Sequence, residues 1–511
     1  MDTKKIVKKI KKENINIEEY IKMKNEINNN FLYYSLFEHV FEKTHNINEY
    51  KRESTGAIYT PYNIVNKMVE DSLKKIDSNI WNLKVLEPSA GSGNFVEVLF
   101  ESLLLKLKEK YPEKNELEIK THIAENIIYI SEFNPYALIT SIFRIYDLYG
   151  VLLKNTYLGN SLLLANKELI NKESSEYYQL NHVKVDLLDN LKLTLENIDN
   201  VITEKQEFEN RRFDLIIGNP PYGNLLDKKF KSYINDKHSN IALNFFDIGI
   251  ELLNNKGVLS YIAPHSFTRA NGNSSWRKEI FKNKYLNELV DCGNPFYDIT
   301  LETVIYTFKK ENNKTVELSS LKDESYQYNI EYNKLFKNDT YRFIMYYDDL
   351  YEKIQKMPNL LYPFNGKRGH DLSKSDLDLE KNENNLWFIL GKNISKKGLV
   401  NVKNYDRYIN KEKIDSKRII KEKKLAITQF GTNLKAAVID SNCYPSGGVV
   451  LIEHEGLTIE EAKQYLNQEF INYYLKRYIL NNADLTVHLD GIYLKEIPYG
   501  IKEDVIQIKN N

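Results

Sequence analysis

Five short apolar segments rich in β-branched residues follow one another between residues 83 and 267, and each ends in turn-forming residues. Helix-compatible segments separate most of them. Strands that alternate with helices favour an α/β fold with a doubly wound, mostly parallel sheet. Two more β-like runs, residues 285–293 and 302–310, are expected to close the same sheet as a hairpin. The five segments read LKVLEPSAGSGNF, NIIYISEFNPY, NTYLGNSLL, RFDLIIGNPPY and KGVLSYIAPHSF.

The extent of this alternation of strands and helices predicts three regions. A chain of 511 residues is long enough for two or three domains. Residues 1–50 are charged, contain neither proline nor glycine, and favour a helical lead-in. Residues 51–310 form the α/β domain, in which the polar stretch 166–212 is interpreted as a surface insertion. Residues 311–511 lack the alternation of strands and helices. They mix a helical segment near Ile459–Leu480 with strand-like pieces, KKLAITQF, KAAVID and GGVVLIEH, which predicts a separate mixed α+β domain.

Charge and cysteine content exclude several classes of protein. Lys+Arg and Asp+Glu are equal at 71 each, so any attraction to nucleic acid has to come from a local cluster. The two cysteines, Cys292 and Cys443, have no metal-type spacing, which argues against a zinc site and favours a reducing compartment. No segment approaches the roughly 18 apolar residues that span a bilayer. We therefore expect a cytoplasmic, monomeric protein without a metal or a membrane partner.

The first strand-like run ends in a glycine loop, VLEPSAGSGNF, at residues 85–95. Glycines there let the backbone approach a ligand, and open α/β sheets bind ligands at the carboxyl ends of their strands. The loop lacks the Lys-Ser/Thr of a P-loop and the G-x-G-x-x-G spacing, and its acidic residue suits a cationic amino-acid group better than a phosphate. The candidate binding residues are Glu87, Pro88, Ala90, Gly91 and Gly93.

The next two strand tips complete a nucleoside site. Glu132, followed by Phe133, can accept the two hydroxyls of a ribose, as acidic residues do in dinucleotide-binding folds. Asn160, followed by Ser161, can accept a hydrogen bond from the exocyclic amine of an adenine. A nucleoside with a cationic amino-acid tail is S-adenosylmethionine, which we predict as the cofactor.

The order of four motifs resembles that of the gamma class of DNA adenine-N6 methyltransferases. TGAIYTP comes first at residues 55–61, the glycine loop follows, Asn-Pro-Pro-Tyr stands at 219–222, and a recognition domain at 311–511 comes last. The resemblance implies a class I S-adenosylmethionine-dependent methyltransferase fold and a site-specific enzyme of a restriction-modification system or an orphan. It also implies that Thr55, Gly56, Tyr59 and Thr60 contact the methionine end of the cofactor.

The resemblance makes Asn219, Pro220, Pro221 and Tyr222 the catalytic residues. The Asn219 side-chain oxygen and the Pro220 carbonyl can accept both N–H groups of a target adenine amine and expose its lone pair. The prolines hold that carbonyl in position before the substrate arrives. Tyr222 offers a ring on which a flipped-out base can stack. Ile305 is expected at the other face of that base.

Two features depart from the family pattern. Asn160 stands where relatives usually carry an aspartate, so the hydrogen bond to the adenine would lose its charge-assisted part and cofactor affinity would be lower. The segment 166–212 precedes the catalytic strand, where many relatives have a short link.

A local basic cluster predicts where double-stranded DNA binds. Between Lys392 and Lys435 there are 13 basic residues against four acidic ones, a net charge of +9. Such a cluster can follow phosphates even on a neutral protein. A shorter run, Lys228 and Lys229, follows the catalytic motif. The predicted phosphate contacts of the cluster are Lys396, Lys397, Arg407, Lys417, Arg418, Lys421 and Lys423.

Three alternatives remain open at this point. Protein glutamine-N5 methyltransferases also carry Asn-Pro-Pro-Tyr, although they are shorter and lack a trailing domain of about 200 residues. A cytosine-N4 enzyme is compatible with the motif, although such enzymes more often have Ser at the position of Asn219. A modification subunit that relies on a separate specificity partner is also compatible. A companion restriction endonuclease, if one exists, would be encoded separately.

Overall fold

The computed structural model describes the protein over residues 60–165, 211–223 and 238–501, apart from 297–298, 338, 403–404, 432, 486 and 490, together with residues 20, 23–25, 27, 33–34 and 36–37. The chain separates into two compact units, Met1–Arg342 and Phe343–Asn511.

The first unit is organised around a nine-stranded sheet with the order β3-β2-β1-β4-β5-β7-β6-β8-β9. β1 to β5 run parallel to one another, and β7 lies antiparallel between β5 and β6. The predicted doubly wound sheet and its closing hairpin are thus confirmed. The strands are β1 Val85–Glu87, β2 Ile128–Glu132, β3 Asn155–Leu158, β4 Phe213–Gly218, β5 Leu253–Pro264, β6 Leu286–Gly293, β7 Thr303–Lys309, β8 Thr315–Ser320 and β9 Gln327–Glu331.

Helices cover this sheet and bury their apolar faces in one large core. Helix α2 is apolar over much of its length, and ten of its residues are buried. The central strand β1 is buried at every position, as expected for a strand with neighbours on both sides and helices on both faces. The helices of this unit are α1 Tyr62–Lys74, α2 Asn94–Lys110, α3 Glu116–His122, α4 Pro135–Tyr149, α5 Ile241–Leu252 and α6 Ser274–Asn283.

The parallel arrangement brings the predicted motifs to one edge of the sheet. β1, β2, β3 and β4 all point the same way, so the residues that follow them meet at their carboxyl ends. The glycine loop follows β1, Glu132 ends β2, and Asn219 follows β4 directly. The fold therefore assembles the candidate site from segments up to 130 residues apart in sequence.

The first unit extends beyond the boundary predicted at Lys310. β8 pairs with β6, and β9 pairs with β8, so the sheet continues to Glu331. Arg277 of α6 is fully buried and donates hydrogen bonds to the carbonyls of Thr340 and Tyr341, which ties that segment to the same unit. The pairing of β8 and β9 with a distant strand was not visible in the local sequence pattern.

The described residues of the predicted lead-in pack on α4. The Tyr34 hydroxyl donates to the Asp147 carboxylate, and the Phe37 ring stacks on Phe143 with 5.3 Å between ring centroids. Of the predicted insertion 166–212, all but the last two residues lie outside the described residues.

The second unit contains two four-stranded sheets, β12-β22-β18-β20 and β13-β17-β14-β21. The strand-like pieces near residues 424, 436 and 449 are strands, and the helical segment predicted from Ile459 is confirmed as α8 and α9.

The remaining elements of the chain, from residue 336 onward, are β10 Phe336–Lys337, β11 Arg342–Phe343, α7 Asp349–Gln355, β12 Phe364–Arg368, β13 Leu377–Asp378, β14 Asn385–Ile389, β15 Ile394–Ser395, β16 Gly398–Leu399, β17 Arg407–Asn410, β18 Lys424–Thr428, β19 Phe430–Gly431, β20 Ala436–Ile439, β21 Cys443–Pro445, β22 Val449–His454, α8 Ile459–Leu466, α9 Glu469–Tyr474, β23 Val487–His488 and α10 Gly491–Leu494.

Among the described helices, none combines the length and the apolar character needed to cross a membrane.

Candidate cofactor and catalytic site

The glycine loop turns the chain from β1 into α2 through two positive backbone angles. Gly91 has φ 52° and Gly93 has φ 85°, a region that residues with a side chain rarely adopt. A Cβ on Gly93 would also come within 3.1 Å of Ser141 Oγ on α4. The loop is tied to β2 by a hydrogen bond from Ala90 N to Ser131 O (3.1 Å). The two glycines therefore allow a tight loop that packs directly on its neighbours.

Glu132 closes this loop from the tip of β2. Its Oε2 accepts a hydrogen bond from Gly91 N (2.8 Å), and its Oε1 accepts from the backbone N–H groups of Phe133 and Asn134 (2.9 Å each). Three backbone donors hold the half-buried carboxylate at one position. Glu132 thus stands at the strand end as predicted, fixed in orientation.

Asn160 and Ser161 follow β3 and serve the local structure. Asn160 Oδ1 accepts from Leu162 N (3.0 Å) and caps a short 3₁₀ turn. Ser161 Oγ lies 2.6 Å from Ser131 Oγ and donates to the carbonyl of Pro88. The Asn160 oxygen predicted to accept from an adenine amine is thus already engaged, although an amide oxygen can accept two hydrogen bonds.

Glu87 is buried beneath the loop, with a relative exposure of 1%. Its Oε1 accepts from Ser89 N (3.0 Å) and Ser89 Oγ (3.2 Å), whereas its buried Oε2 has no partner among the described residues. Burial raises the pKa of this carboxyl from 4.5 to about 8, and the nearby charge of Glu132 adds to the increase. A cationic group placed beside Oε2 would offset this burial and favour the carboxylate.

The carboxyl of Glu87 lies directly against β4. A Cβ on Gly218 would come within 2.3 Å of Glu87 Oε1 and 2.7 Å of Oε2, so a side chain at this position would require the Glu87 carboxyl to move. Gly218 immediately precedes Asn219. Sequence reasoning did not single out Gly218; the signal was a glycine that ends an apolar strand just before the Asn-Pro-Pro-Tyr motif.

Ser89 links the glycine loop to the catalytic motif. Its Oγ lies 3.2 Å from the backbone oxygen of Asn219, 130 residues away in sequence. The adjacent Pro220 is buried. Ser89 was also missed, because its partner becomes visible only once β1 and β4 are paired. The motif and the loop therefore form one continuous site.

Tyr222 is held by its hydroxyl group, which donates to the carbonyl of Ile262 on β5 (2.9 Å). Burial raises the pKa of this phenol well above its usual range, so the hydroxyl remains protonated and can donate. The hydrogen bond fixes the orientation of the ring. The ring predicted to stack with a base is thus anchored at its far end.

One independent observation supports a fit between the residues present and the predicted cofactor. Two buried side-chain oxygens in this region, Thr60 Oγ1 and Glu87 Oε2, have no hydrogen-bond partner among the described residues. Buried polar groups in folded proteins are normally paired, so such oxygens indicate a missing ligand. Thr60 is tied to the glycine loop by the hydrogen bond from Asn94 Nδ2 to Thr60 O (3.1 Å). A polar ligand with a cationic group matches both oxygens.

Behind the glycine loop, Arg144 of α4 anchors its backbone. The guanidinium is fully buried, pairs with Glu97, and donates to Ser92 O (3.0 Å) and Asn94 Oδ1 (2.6 Å). Arg144 does not stand in any of the motifs and carries no local signal for this role. It supports the loop from the side of the helices.

The structure corrects the assignment of Ile305. This residue lies in the middle of β7, paired with Ile262 and Val290, and only 2% of its surface is exposed. It belongs to the main hydrophobic core of the first unit. We therefore assign Ile305 to the core instead of to a DNA contact; a buried apolar strand residue is the ordinary outcome for such a sequence pattern.

The predicted basic cluster is exposed in the second unit. Arg407 is half-buried, whereas the other six predicted contacts are exposed. Arg418 and Lys423 have only long ion-pair distances, 3.8 Å to Asp415 and 3.9 Å to Asp440. Lys417 and Lys421 have no ion pair within the described parts of the chain. Their charges are thus available to a polyanion.

Five predicted contacts lie outside the described residues: Thr55, Gly56, Tyr59, Lys228 and Lys229.

Comparison with known proteins identifies two domains. Residues 94–297 match the Eco57I restriction-modification methylase family, and residues 386–499 match the TaqI-like C-terminal specificity domain. The chain is 26% identical over 355 residues to the type II restriction enzyme and methyltransferase RM.Eco57I of Escherichia coli, covering 63% of this chain and 35% of that protein. It is 25% identical over 269 residues to the type II methyltransferase M.BstVI of Geobacillus stearothermophilus, covering 50% and 42%.

The chain therefore spans less than half the length of these two curated relatives. Among solved structures, a type IIL restriction-modification enzyme, MmeI, in complex with DNA has a similar fold. The TM-score is 0.52 at 12% sequence identity, with 87% of this chain and 68% of that chain covered.

By its strand order and the loops at its strand ends, the first unit has the class I S-adenosylmethionine-dependent methyltransferase fold. More narrowly, residues 94–297 are similar to Eco57I restriction-modification methylases, and residues 386–499 are similar to TaqI-like C-terminal specificity domains.

Proposed function

We propose that this protein is a site-specific DNA methyltransferase that transfers a methyl group from S-adenosylmethionine to the N6 amine of an adenine flipped out of duplex DNA. The hydrogen bond between Ser89 Oγ and Asn219 O (3.2 Å) carries the proposal, since it joins a loop suited to the cofactor with a motif suited to a planar amine. The methylase and specificity domain matches support a DNA substrate.

Cofactor binding is assigned to the edge formed by β1, β2 and β3. Glu87 would face the ammonium group of the methionine portion, and its carboxylate would be favoured by that cation. Glu132 would accept the ribose hydroxyls while its other lone pairs hold the loop. Thr60 supplies a further buried hydroxyl, and Asn160 and Ser161 border the adenine. When bound, the cofactor supplies an electrophilic methyl group.

The chemistry is assigned to Asn219 and Pro220. The lone pair of an aromatic amine is delocalised into its ring, which makes the nitrogen a poor nucleophile. If the Asn219 side-chain oxygen and the Pro220 carbonyl accept its two N–H groups, the nitrogen moves toward tetrahedral geometry and its lone pair becomes available. Pro220 is buried, and Ser89 fixes the preceding carbonyl, so these acceptors are positioned in advance.

Base extrusion is assigned to Tyr222. An enzyme that modifies a base inside a duplex has to receive the base in a pocket, where an aromatic ring can stack on it. The hydroxyl bond to Ile262 O keeps the Tyr222 ring in one orientation before the base arrives.

The match to a specificity domain within the same chain favours this proposal over a subunit that borrows its specificity from a partner, and over a protein glutamine methyltransferase. A neutral protein with an exposed cluster of net charge +9 between residues 392 and 435 also fits a duplex better than a protein substrate. A monomeric, cytoplasmic enzyme remains part of the proposal.

Methylation-sensitive sequencing tests the proposal directly. DNA from cells that express the protein should carry N6-methyladenine at one recurring sequence, and DNA from cells that express the Asn219→Ala variant should not. N4-methylcytosine at that sequence would replace adenine by cytosine as the target. Absence of any DNA mark, combined with methylation of a protein glutamine by the purified enzyme, would contradict a DNA substrate.

A further inference from the structure

Arg368 ends β12 at an edge of the first sheet of the second unit. Because β12 and β18 both run antiparallel to β22, they are parallel to each other, and their carboxyl ends lie at the same edge. Gln429 follows β18 there, and the turn 445–448 crosses between the two strand ends. Arg368 lies outside the basic cluster in sequence and was not singled out by any motif.

The guanidinium of Arg368 is held on one side only. Its Nε donates to Gln429 Oε1 (3.0 Å) and Gly447 O (2.8 Å), and one Nη2 hydrogen is directed to Asp371 Oδ2 (2.8 Å). Within the described part of the chain, Nη1 has no protein partner. The side chain of Arg368 is 47% exposed, and that of Asp371 is 71% exposed. The end of the guanidinium with Nη1 and the second Nη2 hydrogen is thus presented outward.

Two glycines allow the loops around the Arg368–Asp371 pair to pack closely. A Cβ on Gly447 would lie 1.8 Å from Asp371 Oδ1 and 3.0 Å from Arg368 Nη2, and a Cβ on Gly369 would lie 2.2 Å from Ser446 O. Backbone hydrogen bonds join the same loops, from His370 N to Pro445 O (3.0 Å) and from Gly447 N to His370 O (2.9 Å). The loops therefore pack backbone against backbone around the Arg368–Asp371 pair.

The pair is poorly explained as a stabilising element. Exposed ion pairs contribute little to stability, typically below about 1 kcal/mol. It is also poorly suited to a phosphate, because the exposed Asp371 carboxylate next to the guanidinium would repel one. A base edge fits both charges. Arginine donates two parallel hydrogen bonds to O6 and N7 of guanine, and an adjacent carboxylate can accept from the N4 amine of cytosine.

We propose that Arg368 reads a guanine in the major groove of the recognition sequence and that Asp371 both orients it and disfavours other contacts at that position. This inference rests on the proposed function, since it assigns one specificity-determining residue to the DNA-binding part of the chain. Gln429, which is 1% exposed, acts as a positioning residue because its Oε1 accepts a hydrogen bond from Arg368 Nε.

The test is selection of binding sequences from a random duplex pool by the purified full chain, which does not depend on methyl transfer. Arg368→Gln should bind a sequence set in which one guanine has become degenerate, with discrimination at that position reduced roughly 5- to 150-fold. The other positions should be unchanged. Lys367→Ala, which removes the adjacent exposed cation, is the matched control and should keep the full sequence.

Two results would overturn the assignment of Arg368. One is an unchanged selected sequence with Arg368→Gln; the other is a uniform loss of affinity for all sequences, which would indicate a phosphate contact or a structural role. If Arg368→Gln does not fold, Asp371→Asn takes its place, because Asp371 is largely exposed. Its selected sequence should change at the same or the neighbouring base pair, and an unchanged sequence would again reject the assignment.

The proposed function fails separately. If the wild-type chain selects a sequence with the guanine but methylates no DNA, methyl transfer is wrong and the assignment of Arg368 stands. If the wild-type chain methylates a sequence that lacks a position sensitive to Arg368, methyl transfer stands and the assignment of Arg368 falls.

Discussion

The Glu87 carboxyl lies against the α-carbon of Gly218, so closely that a Cβ there would come within 2.3 Å of Oε1. Glu87 belongs to the glycine loop, and Gly218 ends the strand that precedes Asn219. A side chain at residue 218 would therefore displace the carboxyl proposed to bind the cofactor.

Gly218→Ala should destabilise the first unit by about 1–3 kcal/mol, the usual cost of overpacking a dense interior. It should also lower cofactor affinity, because the added methyl group would displace the Glu87 carboxyl. Denaturant unfolding and calorimetric titration with S-adenosylmethionine measure the two effects. Gly272→Ala is the control for a glycine with open space around it and no positive φ. Normal cofactor binding by a folded Gly218→Ala variant would show that Glu87 lies outside the cofactor site.

Glu87→Gln should remove a pH dependence of stability. The folded-state pKa of about 8 exceeds the ordinary value of 4.5, so between these values the folded chain binds more protons than the unfolded chain. The contribution of Glu87 to the free energy of unfolding is therefore fully retained below about pH 4.5 and falls as the pH rises through about 8. Urea unfolding without cofactor, at pH 5.5 and 8.5, should show this fall in the wild type and a smaller one in Glu87→Gln. Glu113→Gln, an exposed site, is the control; equal falls in all three proteins would contradict a buried neutral Glu87.

Asn219→Ala should separate catalysis from binding. It removes one of two proposed acceptors for the target amine, so single-turnover methylation should slow by roughly 100- to 1000-fold, the scale found for one preorganised hydrogen-bonding group. Affinities for cofactor and duplex should change little. Wild-type rates in this variant would rule out the proposed mechanism.

Tyr222→Phe and Tyr222→Ala should differ in a graded way. Phenylalanine keeps the ring and loses the bond to Ile262 O, a neutral hydrogen bond worth about 0.5–1.5 kcal/mol. Alanine also loses base stacking, worth about 1–3 kcal/mol. A fluorescent adenine analogue at the target position reports extrusion in both variants. Equal extrusion by wild type and Tyr222→Ala would remove the ring from the base-flipping step.

Lys417→Ala and Lys421→Ala should weaken binding to all duplexes alike. Each lost phosphate contact should reduce the slope of log affinity against log salt by about 0.9. Fluorescence anisotropy at several salt concentrations measures this slope. Lys381, exposed but outside the basic cluster, supplies the control substitution. Slopes that match the control would make the cluster a solvated surface without a role in DNA binding.

The sequence predicted the strands and their ends well, because short apolar segments that alternate with helix-like segments and end in turn residues are local signals. Glu87, Glu132 and Asn219 each stand at or directly after a strand end, as their sequence context indicated. The same reasoning failed for Ile305, since an apolar residue in a strand gives no sign of which neighbours cover it. Ser89, Gly218 and Arg144 were missed because their partners lie 47 to 131 positions away and become neighbours only through strand pairing and helix packing.

The pairing of β8 with β6, and of β9 with β8, determines where a domain junction can be placed in this protein. A junction at Lys310 would remove two strands and expose the backbone of β6 along an open edge, which invites aggregation. A junction after Glu331, close to the division at Arg342, leaves the sheet complete. Chimaeras that join a foreign specificity domain at this later junction should not aggregate on expression. The extent of the sheet thus sets the position at which exchange of specificity domains can introduce new target sequences.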